Sequence, residues 1–241
     1  MLLLSLDFET TGLDVINDRV IEFGAVLFST TMKKCLDNQG MLVKTDKVIT
    51  PQITGITGMH PAAVERFGYE PGDVLNIIQQ MMDEADAVIG YNSKRFDYRV
   101  YLNWLKREGV EIRDIPWIDL YVDLPWQVPV GKLSHVAADH GILNLFPHSA
   151  LADSQTVLAI ANKYDPQLLL DRATSPVVVL RSHTDRADND LVKRAPYKFR
   201  WNPTARIWWK PVKQQDVEEI IQSAPFPISI EKGITPEELD N

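Results

Sequence analysis

Two carboxylates stand two residues apart where the first apolar run of this 241-residue chain ends, in Leu6-Asp7-Phe8-Glu9-Thr10-Thr11-Gly12-Leu13. In a strand, residues two apart face the same way, so Asp7 and Glu9 present their carboxylates side by side. Like charges that close repel unless something positive lies between them, and a hard cation with oxygen ligands is the usual answer. Solvent at a strand end is the bland alternative. Two further acids bear on the pair. In a helix over 93–108, Asp97 shares a face with Tyr101, Trp104 and Leu105. In a helix over 149–164, Asp153 shares a face with Val157, Ile160 and Ala161. Both stripes belong against a sheet, where an unpartnered carboxylate is costly. Each Asp alone also fits a cap or an ion pair. Four acids able to converge are harder to explain that way.

His148 lies five residues before Asp153, on the loop ahead of the expected helix, where it can overhang the carboxylates. A histidine so placed can act as general base toward an attacking water. His183 and Asp188 repeat the interval, but 183–188 has no apolar face and reads as a solvated loop. His60, His135 and His140 lack such a partner and read as structural or surface residues.

These side chains need a scaffold that brings distant segments together. Strand-like stretches at 2–7, Val20–Ser29 and 41–44 follow one another across short turns, which implies an antiparallel meander. A loop and short-helix region covers 48–67. Beyond it, a helix over 72–84, a strand at Ala87–Gly90, a helix over 93–108, a strand at 117–121 and helices over 132–140 and 149–164 alternate. Such alternation implies parallel strands covered by helices. The expected fold of residues 1–166 is therefore α/β, a mixed central sheet flanked by helices.

Residues 167–241 read as a small α+β accessory unit. It has a strand at 177–180, a hairpin of 198–201 with 207–211, and a helix over 214–222. In that hairpin, alternation turns Phe199, Trp201, Ile207 and Trp209 toward the helix. Lys198, Arg200, Trp208 and Lys210 then face outward, a basic patch with one aromatic that could hold phosphates and stack a base. A solvated face that keeps the unit soluble fits the same pattern.

Charge distribution agrees with this division. The net charge is −8, yet residues 1–170 hold 14 Lys+Arg against 22 Asp+Glu while 171–241 hold 11 of each. Between Arg172 and Lys213, ten basic residues face three acidic ones. An acidic body with a basic arm suits an enzyme that gathers carboxylates for metal and places phosphate contacts elsewhere. The single cysteine, Cys35, excludes an internal disulfide framework and fits a reducing compartment. Met1-Leu2-Leu3-Leu4 is too short for a signal or a membrane span, so a cytoplasmic location and no membrane partner are expected.

Three strings carry a family resemblance. Asp7-Phe8-Glu9-Thr10-Thr11-Gly12-Leu13, Gly90-Tyr91-Asn92-Ser93-Lys94-Arg95-Phe96-Asp97 and His148-Ser149-Ala150-Leu151-Ala152-Asp153-Ser154-Gln155 resemble, in order and spacing, the three motifs of the DEDDh exonucleases. The resemblance spans about residues 1–165 and implies a ribonuclease H-like fold and 3′→5′ exonuclease activity on DNA or RNA with a 3′ end. It implies that Asp7, Glu9, Asp97 and Asp153 bind two Mg²⁺ or Mn²⁺ ions and that His148 deprotonates the attacking water. Ser149 stands where the sister DEDDy class carries tyrosine. By the same carry-over, Thr10, Thr11 and Gly12 grip the terminal nucleotide, Leu13 packs on its base, and Asn92 and Phe96 fill secondary positions. One departure is Thr54, where relatives often carry histidine. The family also includes polymerase proofreading subunits, so a polymerase-associated module is the competing role. A catalytically dead relative is disfavoured, because all five catalytic positions carry the expected residue types. The 199–210 strings more weakly resemble the accessory domain of exonuclease X-like proteins.

Overall fold

The structure, a computed structural model, describes residues 1–184 and 189–239. The chain divides into two compact units, Met1–Val122 with Gly131–Ala173 and Asp123–Val130 with Thr174–Asn241. The first unit thus runs past residue 166, through most of a helix over Pro166–Thr174 that the sequence reading placed in the accessory part.

Its sheet has five strands, β1 (Leu2–Thr10), β2 (Val20–Ser29), β3 (Lys34–Leu42), β4 (Ala87–Gly90) and β5 (Trp117–Asp119), in the order β3-β2-β1-β4-β5. β1, β2 and β3 pair antiparallel, and β1, β4 and β5 pair parallel. The third strand is Lys34–Leu42 rather than 41–44. Its polar stretch is exposed through Asn38 on the sheet edge, so it carries no alternation to read.

Helices α1 (Pro51–Thr57), α2 (Pro61–Phe67), α3 (Pro71–Glu84), α4 (Asp97–Glu108), α5 (Leu120–Asp123), α6 (Leu133–Asp139), α7 (Ala150–Ala161) and α8 (Pro166–Thr174) follow the chain. Leu4, Leu6, Phe8 and Phe23 pack with Val74 and Ile78 of α3 and with Tyr101, Trp104 and Leu105 of α4, the stripe expected from spacing. That helix starts at Asp97, not 93. Asn92 takes a left-handed φ of 56°, so a turn over 91–96 separates β4 from it.

α7 lies tightly on β1 and β2. Ser5 Oγ donates to the Ser154 carbonyl at 2.8 Å, and Ser154 Oγ donates to the Gly24 carbonyl at 2.9 Å. A Cβ on Gly24 would sit 2.1 Å from the Ala150 carbonyl carbon and the Leu151 nitrogen, both backbone atoms. Only glycine lets the helix approach this closely. Gly24→Ala should therefore cost roughly 2–3 kcal/mol by overpacking, read by chemical denaturation. A neutral result would mean that α7 can back away from β2.

In the second unit, β6 (Val177–Ser182), α9 (Asn189–Lys193), β7 (Arg200–Asn202), β8 (Ile207–Lys213), α10 (Val217–Ser223), β9 (Ile228–Glu231) and α11 (Pro236–Leu239) build an antiparallel sheet of order β7-β8-β6-β9. Asp123–Val130 belongs here: Lys213 Nζ meets Asp123 Oδ1 at 2.8 Å, with the two side chains 6% and 0% exposed. The Trp126 indole donates to Glu219 at 3.1 Å.

The hairpin register corrects the expected basic patch. Arg200 stands opposite Trp209, and Trp201 opposite Trp208. Lys198, at φ 50°, breaks the alternation before β7 begins. Both faces of the sheet are also covered, one by a cluster with Leu180, Phe199, Val212 and Ile220, the other by Val179, Ile207, Trp209 and Leu239. Consequently the Arg200 guanidinium lies 4.3 Å from the centre of the Trp209 ring, and Lys210 Nζ, half-buried, donates to the Pro196 carbonyl. Burial and the neighbouring Lys198 pull the Lys210 ammonium down to about 8. Trp201, expected in the core, is exposed. Lys198, Arg200, Trp208 and Lys210 do not share one outward face. His183, read as part of a solvated loop, is exposed and bonds Ser229 Oγ at 2.7 Å, while Asp188 lies outside the described residues.

Candidate active site

β1 carries Asp7 and Glu9 to the sheet's end, where α4 and α7 each deliver one acid. Asp97 is the first residue of α4, 4% exposed, and its Oδ1 accepts the Phe8 N–H at 3.1 Å. That bond clips the helix start to the strand between the two β1 carboxylates. Asp153, in the first turn of α7, accepts the His148 backbone N–H at 3.1 Å and a bond from the Asn144 amide. His148 is exposed and left-handed at φ 64°, which aims its N–H back at Asp153. Ligand atoms of Glu9, His148 and Asp153 all lie within 4.8 Å of one another.

A fifth carboxylate, Glu22, was not singled out in the sequence. It sits opposite Glu9 in the β1–β2 register and is 8% exposed. It accepts the Ala150 N–H at 3.1 Å and the Ser149 hydroxyl at 3.3 Å, and so anchors the N-terminus of α7. The signal was present: Glu22 is the lone charge in the otherwise apolar Val20–Ser29, and a buried lone charge needs partners. Asn144 and the buried Asp119, which accepts the Lys94 N–H at 3.1 Å, were also missed. No periodicity marks either one.

The loop after β1 is tied down by Asp18, whose Oδ1 accepts the Thr11 hydroxyl at 2.8 Å. Thr10 Oγ1 donates to the Gly12 carbonyl at 2.6 Å. Leu13 is 87% exposed beyond them. Asn92 is exposed and Phe96 half-buried ahead of Asp97. His140, by contrast, is held by the Val136 carbonyl and the Tyr164 hydroxyl, each at 2.6 Å, which is the structural role expected of it.

The electrostatics are one-sided. Burial first, then Asp97, Asp153, Glu9 and Glu22, push the Asp7 carboxyl well above the usual carboxylate range. Burial and the neighbouring acids raise Glu9 to about 8. Burial raises Asp97 to about 7, although the Phe8 N–H opposes it. Asp153 and Glu22 are raised too, chiefly by burial. The neighbouring charges that raise Asp7 are the acids Asp97, Asp153, Glu9 and Glu22, so the cluster gathers oxygen donors suited to hard divalent cations.

A pH dependence follows. These carboxyls hold their protons more tightly folded than unfolded, so the folded state takes up protons between the unfolded values near 4 and the folded values of about 7 and 8. Their stabilising contribution is complete below about pH 4 and is lost as pH rises through 7 and 8. With chelator, the unfolding temperature should therefore fall by several degrees between pH 6 and 8.5. Mn²⁺ should restore it most at the higher pH, where fewer protons must be displaced. A chelated protein equally stable at both values would contradict the burial of these acids.

The exonuclease family model matches residues 4–161. The PolC-type DNA polymerase III of Thermotoga maritima is 29% identical over 166 residues, 64% of this chain and 11% of that one. The chain thus spans about a tenth of the length of the curated relatives it matches. E. coli exonuclease I in complex with a dT13 oligonucleotide superposes with a TM-score of 0.64 at 17% identity, over 100% of this chain and 68% of that one. The nuclease domain of 3′hExo, a DEDDh family member bound to rAMP, gives 0.56 at 20%, over 67% and 90%. These likenesses are of fold and agree with the expected ribonuclease H-like architecture. The family match contains every carboxylate of the cluster together with His148, and the chain belongs to the exonuclease family.

Proposed function

We propose that the chain is a two-metal-ion 3′→5′ exonuclease that releases 5′-mononucleotides from the 3′ ends of DNA or RNA. The observation that carries this reading is the convergence of Asp7, Glu9, Asp97 and Asp153 at one end of the sheet, where Asp97 is clipped to Phe8 between the two β1 acids and ligand atoms of Glu9, His148 and Asp153 lie within 4.8 Å of one another. Four carboxylates offer only oxygen donors, which fits Mg²⁺ or Mn²⁺, and these residues would hold two such ions. Bound there, the ions would activate water and stabilise charge on the leaving 3′ oxygen. His148, at the exposed edge of the cluster, takes the proton as the water oxygen bonds to phosphorus and the P–O3′ bond breaks. Thr10, Thr11 and Gly12 hold the terminal nucleotide on the loop braced by Asp18, and the exposed Leu13 packs on its base. Asn92 and Phe96 border the same site.

The similarity to a PolC-type polymerase favours a second role, proofreading within a polymerase assembly. Digestion of 5′-labelled single-stranded DNA, RNA and mismatched primer–template with Mg²⁺ or Mn²⁺ separates the readings. Ladders shortening from the 3′ end of the single strands support a free-standing enzyme. Digestion confined to mismatched primers supports the proofreader, and intact oligonucleotides throughout would overturn both.

A further inference from the structure

The second unit carries a groove of about 890 Å³ that the proposed chemistry does not use. It contains Arg181, His183, Lys193, Trp201, Arg206 and Trp208, and no Asp or Glu is among the described residues that line it. Of its three full positive charges, Arg181 meets Glu231 at 3.4 Å and Lys193 lies 3.9 Å from Asp190, while Arg206 stands on the exposed β7–β8 turn. Trp208 forms the fixed wall: its indole donates to Asn189 Oδ1 at 2.9 Å, and Lys193 Nζ lies 5.3 Å from its ring centre. Trp201 packs against it, ring centres 5.4 Å apart, yet remains 47% exposed. Arg206 extends from the β7–β8 turn. An indole propped by a second indole and left open has lost its freedom but not its stacking face.

We propose that this groove binds single-stranded nucleic acid, with a base stacked on Trp201 and backbone phosphates held by Lys193 and Arg206. The choice of ligand rests on the exonuclease reading. Its chemistry rests on the groove: every base offers a π-face, and the exposed Arg206 with Lys193, whose link to Asp190 is a long 3.9 Å contact between exposed side chains, suits a polyanion. This set differs from the patch expected from alternation. Arg200 and Lys210 are engaged with Trp209 and Pro196, whereas Trp201, assigned to the core, supplies the exposed ring.

The test is binding of fluorescein-labelled dT20 to the full chain in chelator, by anisotropy over a range of salt. No bond is cut under these conditions, so the result stands apart from any outcome of the digestion assays. Trp201→Ala should weaken binding roughly 5- to 100-fold, the range that base–aromatic stacking gives, and Trp201→Phe should restore most of it. Arg206→Glu, a change in an exposed turn with little risk to folding, should lower the log–log salt slope by about 0.7, the share of one neutralised phosphate on a single strand. Unchanged affinity in Trp201→Ala together with an unchanged slope in Arg206→Glu would overturn the proposal. So would a wild-type protein that binds an acidic peptide but not dT20.

Discussion

Asp7→Asn should lower turnover by roughly 10⁴-fold, since metal-ion catalysis supplies several kcal/mol of charge stabilisation and each 1.36 kcal/mol is about a factor of ten. Asp7 lies at the centre of the cluster, subject to the charges of Asp97, Asp153, Glu9 and Glu22 together. Asparagine keeps its shape and removes the charge that two cations would share. The same substitution should raise the unfolding temperature of the metal-free protein at pH 8. Asp7 is half-buried, and a carboxyl raised well above its usual range is a partly desolvated charge resisted by its neighbours, so replacing it relieves both. Lost activity with gained stability is a signature that simple misfolding cannot give. If the variant were inactive and also less stable, Asp7 would be a structural residue.

His148 should show the second largest effect, a loss of roughly 10²–10⁴-fold for a missing general base. Asparagine is the cleaner replacement, because His148 holds a φ of 64° that alanine adopts only with strain. The backbone N–H to Asp153 survives the change, so Mn²⁺ affinity measured by calorimetry should stay near wild type. Added imidazole should return part of the rate. His135→Ala, on the exposed side of α6, should be nearly silent. A parallel loss of metal affinity in His148→Asn would recast His148 as a ligand beside Glu9 and Asp153, a role its proximity to both also permits.

The sequence made the first unit legible where period and burial coincide. β2 and β4 fall at the expected residues, and the apolar stripe that accompanies Asp97 is buried as spaced. Asp97 itself was harder to place: periodicity marked its helix but not the left-handed Asn92 that delays the helix start. The lone charge of Glu22 stood out in its strand, but its partners did not, because they lie at the start of α7, more than a hundred residues later in the chain. The second unit was misread for a different reason. A hairpin pattern assigns one face to the core, but β7 and β8 lie in a sheet covered on both sides, and Lys198 interrupts the alternation just before β7. Spacing alone therefore sent Trp201 inward, and it put Arg200, which is exposed as expected, on the face of Trp208 rather than opposite Trp209. The buried Lys213–Asp123 pair was equally unreadable, since it joins segments 90 residues apart.

The claim that the carboxylate cluster is a metal-dependent 3′-end nuclease centre meets its most direct test in one time course. A single-stranded DNA oligonucleotide radiolabelled in its last phosphodiester is incubated with the full chain, first in chelator and then with excess Mn²⁺. The account predicts no release in chelator, followed by prompt appearance of the label as a 5′-mononucleotide before any shortening from the 5′ end. Release of label in chelator would contradict it, as would label leaving first in longer fragments.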